Sequence, residues 1–281
     1  MLILQYQISS INFIKIFPGI IESMNKKSTK ILWTLFVSEF IGTALLVLVG
    51  LSFVIFDFGK GSFMINLVPD AGIRRLITGF LFGTTGALIA ISWIGKESGA
   101  HINPAVTLAF WSQGKISFSH AAGYIFSQLT GSVFGALPLL VWGKTGSSIY
   151  YGATYPGSGY TAQTALSGEI LTTFTMVLLL FIFIGNKKLR NYTPLIFPIL
   201  YAIMVFLEAP ISGTSTNPAR TLGPSVISGY WSGWWIYWIG PAAGALAAVA
   251  VYNFSWFKKF EIEVAKLYHF ELDRHGIFKK T

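Results

Sequence analysis

Two stretches decide the fold: SGAHINPAVTLAFWSQG, residues 98–114, and SGTSTNPARTLGPSVISG, residues 212–229. Each is a run of small residues, then Asn-Pro-Ala, then a segment closed by glycine. Asn is a strong helix N-cap, and proline suits the first helical position, where its missing N–H costs nothing. Both motifs therefore start helices, at Asn103, Pro104, Ala105 and at Asn217, Pro218, Ala219, and Gly114 and Gly229 lie where those helices should stop. From Asn103 to Gln113 such a helix is about 16 Å long, roughly half the hydrocarbon thickness of a bilayer. It can reach a midplane but cannot cross.

The surrounding chain supplies the bilayer. Of its 281 residues 53% are hydrophobic and only 11% charged, with a mean hydropathy of +0.61. A net charge of +9 suits nucleic acid only as a basic patch on a folded surface, and here the basic residues sit between apolar runs. No nucleic-acid partner is expected. The absence of cysteine excludes disulfides, thiolate zinc clusters and thiol catalysis, and His101, His120, His269 and His275 form no metal-site spacing. No metal, no cofactor and no enzymatic activity are expected.

Six apolar runs are long enough to span: Ile31 to Phe56, Leu76 to Gly95, Ile116 to Gly143, Ala162 to Gly185, Tyr192 to Leu207 with a few more residues, and Trp231 to Phe257. With both termini on one face, the opposite face keeps only Lys60, Arg74, Arg75, Lys144 and Arg220 of the 20 Lys+Arg. The positive-inside rule makes the termini cytoplasmic. The parts are a cytoplasmic tail 1–30, a membrane domain 31–257 and a cytoplasmic tail 258–281. Residues 1–30 lack the layout of a signal peptide, and either Met1 or Met24 is read as the start.

The membrane domain divides into similar halves, about 31–143 and 162–257. SEFIGTALLVLVG around Glu39 parallels SGEILTTFTMVLLLF around Glu169, and YIFSQLTGSVFGAL from Tyr124 parallels YWIGPAAGALAAV from Tyr237. Three spans per half is odd, so the repeats lie inverted in the membrane. The expected fold is an all-α membrane protein with six transmembrane helices and two re-entrant half-helices in an inverted repeat. The first motif enters from the cytoplasmic face and the second from the extracellular face. Their amino ends meet at the midplane, with small Ala105 and Ala219 permitting close approach. Two positive dipole ends and the free amide N–H groups of Asn103 and Asn217 then face one point, a filter for neutral hydroxylic molecules that repels cations and disfavours a proton wire. Non-helical backbone at Gly99, Ala100 and Gly213 is tolerated there only if protein surrounds it or water fills a cavity.

Taken together, the two Asn-Pro-Ala boxes, Arg220 directly after the second, the paired Glu39 and Glu169 and the inverted repeat resemble the aquaporin, or major intrinsic protein, family over roughly Leu32 to Phe257. The resemblance implies a passive channel for water that excludes protons and ions, placed in the cell membrane as a homotetramer with one pore per subunit. It implies a selectivity filter of Arg220, Thr214, Val205 and a fourth residue. Counting back from the first box gives Gly83 for that residue, and the local Phe-Gly pattern gives Phe82. Glu39 and Glu169 are implied to accept hydrogen bonds from the re-entrant backbone of their own halves, and His101 to line the cytoplasmic vestibule. Thr214 and Thr221 resemble water channels; Val205 departs from their usual His and widens the opening. The alternative cargo is therefore a small neutral solute such as glycerol, urea, ammonia or a metalloid hydroxide. Inverted repeats also occur in secondary transporters, where the acids would couple ions, and a junction or scaffold protein is a further alternative. Glu208 is expected at the water-filled extracellular mouth.

Overall fold

Helix boundaries follow the capping chemistry of the chain. The computed structural model describes residues 32–254, 257, 260–273 and 276–278. The expected tail 1–30, with Met24 and its lysines, lies outside these residues, as do Ile31, Lys258, Lys259 and His275. The long helices are α1 (Trp33–Phe58), α2 (Ala71–Ile91), α3 (Pro104–Ser112), α4 (Phe118–Ala136), α5 (Ala162–Gly185), α6 (Thr193–Glu208), α7 (Pro218–Ser228) and α8 (Ile236–Phe254). Six of them, or these with a short extension, are long and apolar enough to cross a membrane, while α3 and α7 are the half-helices. Among the described residues there is no strand.

Two expected spans are shifted. The second begins at Ala71 rather than Leu76, because the Asp70 carboxylate caps it by accepting from Ile73 N (2.8 Å). Arg74, which an apolar count excludes, stays in the helix by donating to the carbonyls of Val68 (2.6 Å) and Pro69 (2.9 Å) while lying 5.2 Å from the Phe58 ring centre. The same span ends at Ile91 rather than Gly95, since Ser92 caps a separate short helix, Trp93–Ser98. The sixth span starts at Ile236, after turns over residues 232–235, rather than at Trp231.

Packing expresses the repeat. Helix α1 packs along α4 and α5 along α8, the same pair in each half, and α2 packs along α6 across the halves. The half-helices exchange partners: α7 of the second repeat lies on α4 of the first, and α3 of the first lies on α8 of the second. Small residues permit these approaches. A Cβ on Gly131 or Gly135 would stand 2.4 or 2.2 Å from the Phe40 or Ala44 carbonyl of α1, and one on Gly244 would stand 2.4 Å from the Ile170 carbonyl of α5. Gly79 and Gly83 admit the α6 backbone at Tyr201 and Phe197 in the same way. Outward, large apolar side chains such as Trp33, Phe126 and Val141 are exposed, as a lipid-facing surface requires. The chain is a multi-pass membrane protein.

Candidate functional site

Each half-helix is aimed by a buried carboxylate. In the first repeat Glu39 Oε1 accepts from Ser98 Oγ (2.6 Å) and His101 N (3.0 Å), and Oε2 from Ile102 N (2.7 Å) and Gln128 Nε2 (2.7 Å). In the second, Glu169 Oε1 accepts from Ser212 Oγ (2.6 Å) and Ser215 N (2.7 Å), and Oε2 from Thr216 N (2.8 Å). Tyr124 and Tyr237 repeat the symmetry, their hydroxyls donating to the carbonyls of Ser98 (2.8 Å) and Ser212 (2.7 Å). These bonds hold irregular backbone at membrane depth, where an unpaired N–H would cost several kcal/mol. They fold Gly99 (φ 87°) and Ala100 (φ 52°), Gly213 (φ 90°) and Thr214 (φ 51°), into the left-handed region. Gln128 has no sequence signal of its own; the second repeat offers Pro241 at the matching place, four residues after Tyr237.

The two Asn-Pro-Ala boxes meet. Asn103 caps α3 by accepting from Ala105 N (2.8 Å), and Asn217 caps α7 by accepting from Ala219 N (3.0 Å). The expectation of free amides needs correction. Asn103 Nδ2 donates to the Thr216 carbonyl (2.9 Å), and Asn217 Nδ2 donates to the Ile102 carbonyl (2.9 Å). Each amide thus spends one hydrogen across the repeat boundary and has a second left over. Both asparagines line one small cavity together with Ile102.

Beyond them a larger cavity of about 470 Å³ opens toward the opposite face, and Arg220, Thr214, Val205 and Phe82 all line it. The Arg220 guanidinium is almost fully buried and donates to the Gly152 carbonyl (2.6 Å), which fixes it at the cavity wall. Of the two alternatives for the fourth position, Phe82 shares this cavity with Arg220, Thr214 and Val205. Gly83 touches the inner cavity, but its open side is against α6, with 2.6 Å from a Cβ to the Phe197 carbonyl. Thr221 is turned away, bonded to Thr154 Oγ1 (2.7 Å) and Ser215 Oγ (2.6 Å). Glu208 is not at the mouth: it is buried behind Thr214, its Oε2 accepting from Thr214 Oγ1 (2.5 Å), and it packs on Gly168. A span-ending acid next to an apolar run gives no hint of that inward turn.

The inner cavity, about 40 Å³, is lined by Asn103, Asn217, Phe82, Tyr201 and His101, and also by Leu267 from the C-terminal segment. His101, expected to line the cytoplasmic vestibule, lines this inner cavity and is covered. Its Nε2 donates to the Ala265 carbonyl (2.9 Å), Nδ1 is 3.2 Å from Thr107 Oγ1, and the ring stacks on Phe110 at 4.6 Å. Leu267 N donates to the Gly99 carbonyl (3.0 Å), and the buried Lys266 reaches the Lys96 carbonyl (2.7 Å). Glu263 pairs with Lys187 (3.2 Å) and Arg190 (2.9 Å), which hold its carboxyl below the usual range, and Arg190 also reaches Glu271 (2.5 Å). No apolar periodicity marks this segment, so its docking was not legible. Tyr201, one helical turn before Val205, was legible by counting back four residues along α6. Among the described residues no cluster of His, Cys, Asp and Glu could hold a metal ion.

Comparison with known proteins agrees with this geometry. Residues 25–252 match the sequence pattern of the Major intrinsic protein family. The chain is 33% identical over 228 residues to Aquaporin NIP1-1 of Arabidopsis thaliana, covering 77% of this chain and 72% of that one. It is 30% identical over 237 residues to Aquaporin-4 of Mus musculus, covering 84% and 71%. Its fold matches the X-ray structure of the aquaglyceroporin from Plasmodium falciparum with a TM-score of 0.64 at 20% identity, over 79% of this chain and 96% of that one. With two capped half-helices meeting at crossed asparagines inside six spans, the chain belongs to the major intrinsic protein family, a family of membrane channels rather than enzymes.

Proposed function

We propose that this protein is a passive water channel of the cell membrane, driven by osmotic gradients and closed to protons and ions. The observation that carries the reading is the ring of Arg220, Thr214, Val205 and Phe82 standing over the two asparagines. Water leaving the ring meets the second N–H of each asparagine at the point where both half-helix amino ends converge. A molecule that accepts from both points its own hydrogens away from its neighbours along the file, and the positive potential opposes a hydronium or a metal cation. Arg220 adds a fixed cation at the other end of the constriction. Both termini are cytoplasmic by the distribution of basic residues, and a homotetramer with one pore per subunit is the assembly proposed.

A second cargo class, small neutral solutes, is favoured by Val205, whose short apolar side chain leaves a wide outer cavity. Stopped-flow light scattering of proteoliposomes separates the two. Fast shrinkage under an impermeant osmolyte, with a low activation energy and no re-swelling in glycerol or urea, is the expected result. Rapid re-swelling in either solute would replace water by the broader cargo. Saturable flux tied to an ion gradient would point instead to a secondary transporter.

A further inference from the structure

Below Val205 the pore wall changes character. Helix α6 places Phe197, Tyr201 and Val205 at four-residue spacing, hence on one face. Phe82 and Tyr201 line both cavities, the outer of about 470 Å³ and the inner of about 40 Å³, so the two spaces meet at this pair. Their rings stack at 5.7 Å between centres and 29° between planes. Each ring is held from behind. A Cβ on Gly50 would stand 2.5 Å from the Phe82 ring, so α1 presses against it without a side chain between. The Tyr201 hydroxyl donates to Met176 Sδ (3.2 Å) and lies 3.0 Å from Thr216 Oγ1. Thr216 is also the residue whose carbonyl takes the Asn103 amide.

We infer that Tyr201 sets the bore of this channel, supplying with Phe82 the narrow wall that Val205 leaves open and restricting the cargo to water against polyols. The inference rests on the channel reading. A stacked pair with its one hydroxyl already engaged offers a permeating molecule an apolar wall and little hydrogen bonding, so a polyol must shed hydration without replacement. The outer ring selects against charge, and the aromatic pair selects by size.

The test is the ratio of glycerol to water permeability in proteoliposomes for the full chain, Tyr201→Val, Tyr201→Phe and Val205→Ala. Tyr201→Val is expected to raise the ratio by about tenfold or more, Tyr201→Phe to raise it less because the ring remains, and Val205→Ala to raise it less than Tyr201→Val. An unchanged ratio in Tyr201→Val, or a larger rise in Val205→Ala, overturns the inference while leaving the channel reading intact.

A different set of contacts carries a second inference. The geometry points to residues 260–272 as an autoinhibitory strap across the inner mouth. Arg190 and Lys187, between α5 and α6, clamp Glu263 and Glu271, and this lays Ala265 on His101, Lys266 on Lys96 and Leu267 into the inner cavity. Gly99 is shaped for the strap: at φ 87° a Cβ there would stand 2.6 Å from the Ala265 carbonyl. Arg190 is mostly covered, but its partners Glu263 and Glu271 and the second cation Lys187 reach the surface, where ion pairs are weak, so the clamp can release without unfolding the spans.

Because the chain has no cysteine, Arg190→Cys with Glu263→Cys gives one pair of thiols to join with a bis-methanethiosulfonate linker and free with reductant. Water flux about threefold or more higher after reduction is expected, as the strap populates an undocked state. Equal flux in the linked and reduced forms overturns the strap. Running the Tyr201 series in the reduced background separates a covered mouth from a failed channel: no water flux in any of these chains overturns both inferences together with the channel reading.

Discussion

The two repeats solve the same problem with unequal means. Glu39 collects four donors and Glu169 three, the difference being Gln128, for which the second repeat has Pro241. Directly after the boxes the first repeat has Val106 and the second Arg220. What both share, the carboxylate, the tyrosine and the crossed asparagine, is the machinery that shapes backbone. What differs is the charge that each half shows to the pore. The pseudo-symmetry therefore belongs to the scaffold, and in the channel proposed above selectivity lies in its violations.

Substitutions can break that comparison, beginning with the carboxylates. Glu39→Ala takes an acceptor from four buried donors and Glu169→Ala from three, at up to about 1–3 kcal/mol for each; both should be strongly destabilised, and Glu39→Ala should show the lower thermal midpoint by circular dichroism in detergent. The reverse order would mean that donor count does not govern the cradles. Replacing Gly135 or Gly244 by valine forces a helix pair apart and should cost about 1–3 kcal/mol or more in either repeat. Unequal losses in the same melting experiment would show that the paired interfaces are not equivalent. Gln128→Ala removes one donor from Glu39 and leaves its remaining three, which makes the repeats alike. A drop of about 1–2 kcal/mol, below that of the glycine variants, is expected. Smallest in stability is Arg220→Ala, with a melting midpoint near the parent value; its effect should emerge in flux, as passage of cations or larger solutes measured by conductance and solute re-swelling. Unchanged ion and solute permeability would remove Arg220 from the filter.

Much of this was legible in the sequence, because it rests on local chemistry. Asn before Pro, glycine after, and apolar length place α3, α7 and the six spans, and the parallel Glu39 and Glu169 announce the cradles. Span ends were less legible where a polar side chain caps inside an apolar run: Asp70 and Ser92 move both ends of α2, and Arg74 is tolerated only because two carbonyls lie within its reach. Contacts between distant segments left no trace. Gln128 reaching Glu39, Glu208 turning in to Thr214, and Leu267 entering the cavity are decided by tertiary packing, and no period in the sequence encodes them.

The crossed asparagine bonds also set an order of events. Asn103 finds its acceptor at Thr216, and Asn217 finds its own at Ile102, more than a hundred residues away in the chain. Until the second half has entered the bilayer, the first half holds an amide and a carbonyl with no partner in hydrocarbon. These two bonds can therefore close only once both halves are in place, which ties the completion of the first half-helix to the insertion of the second.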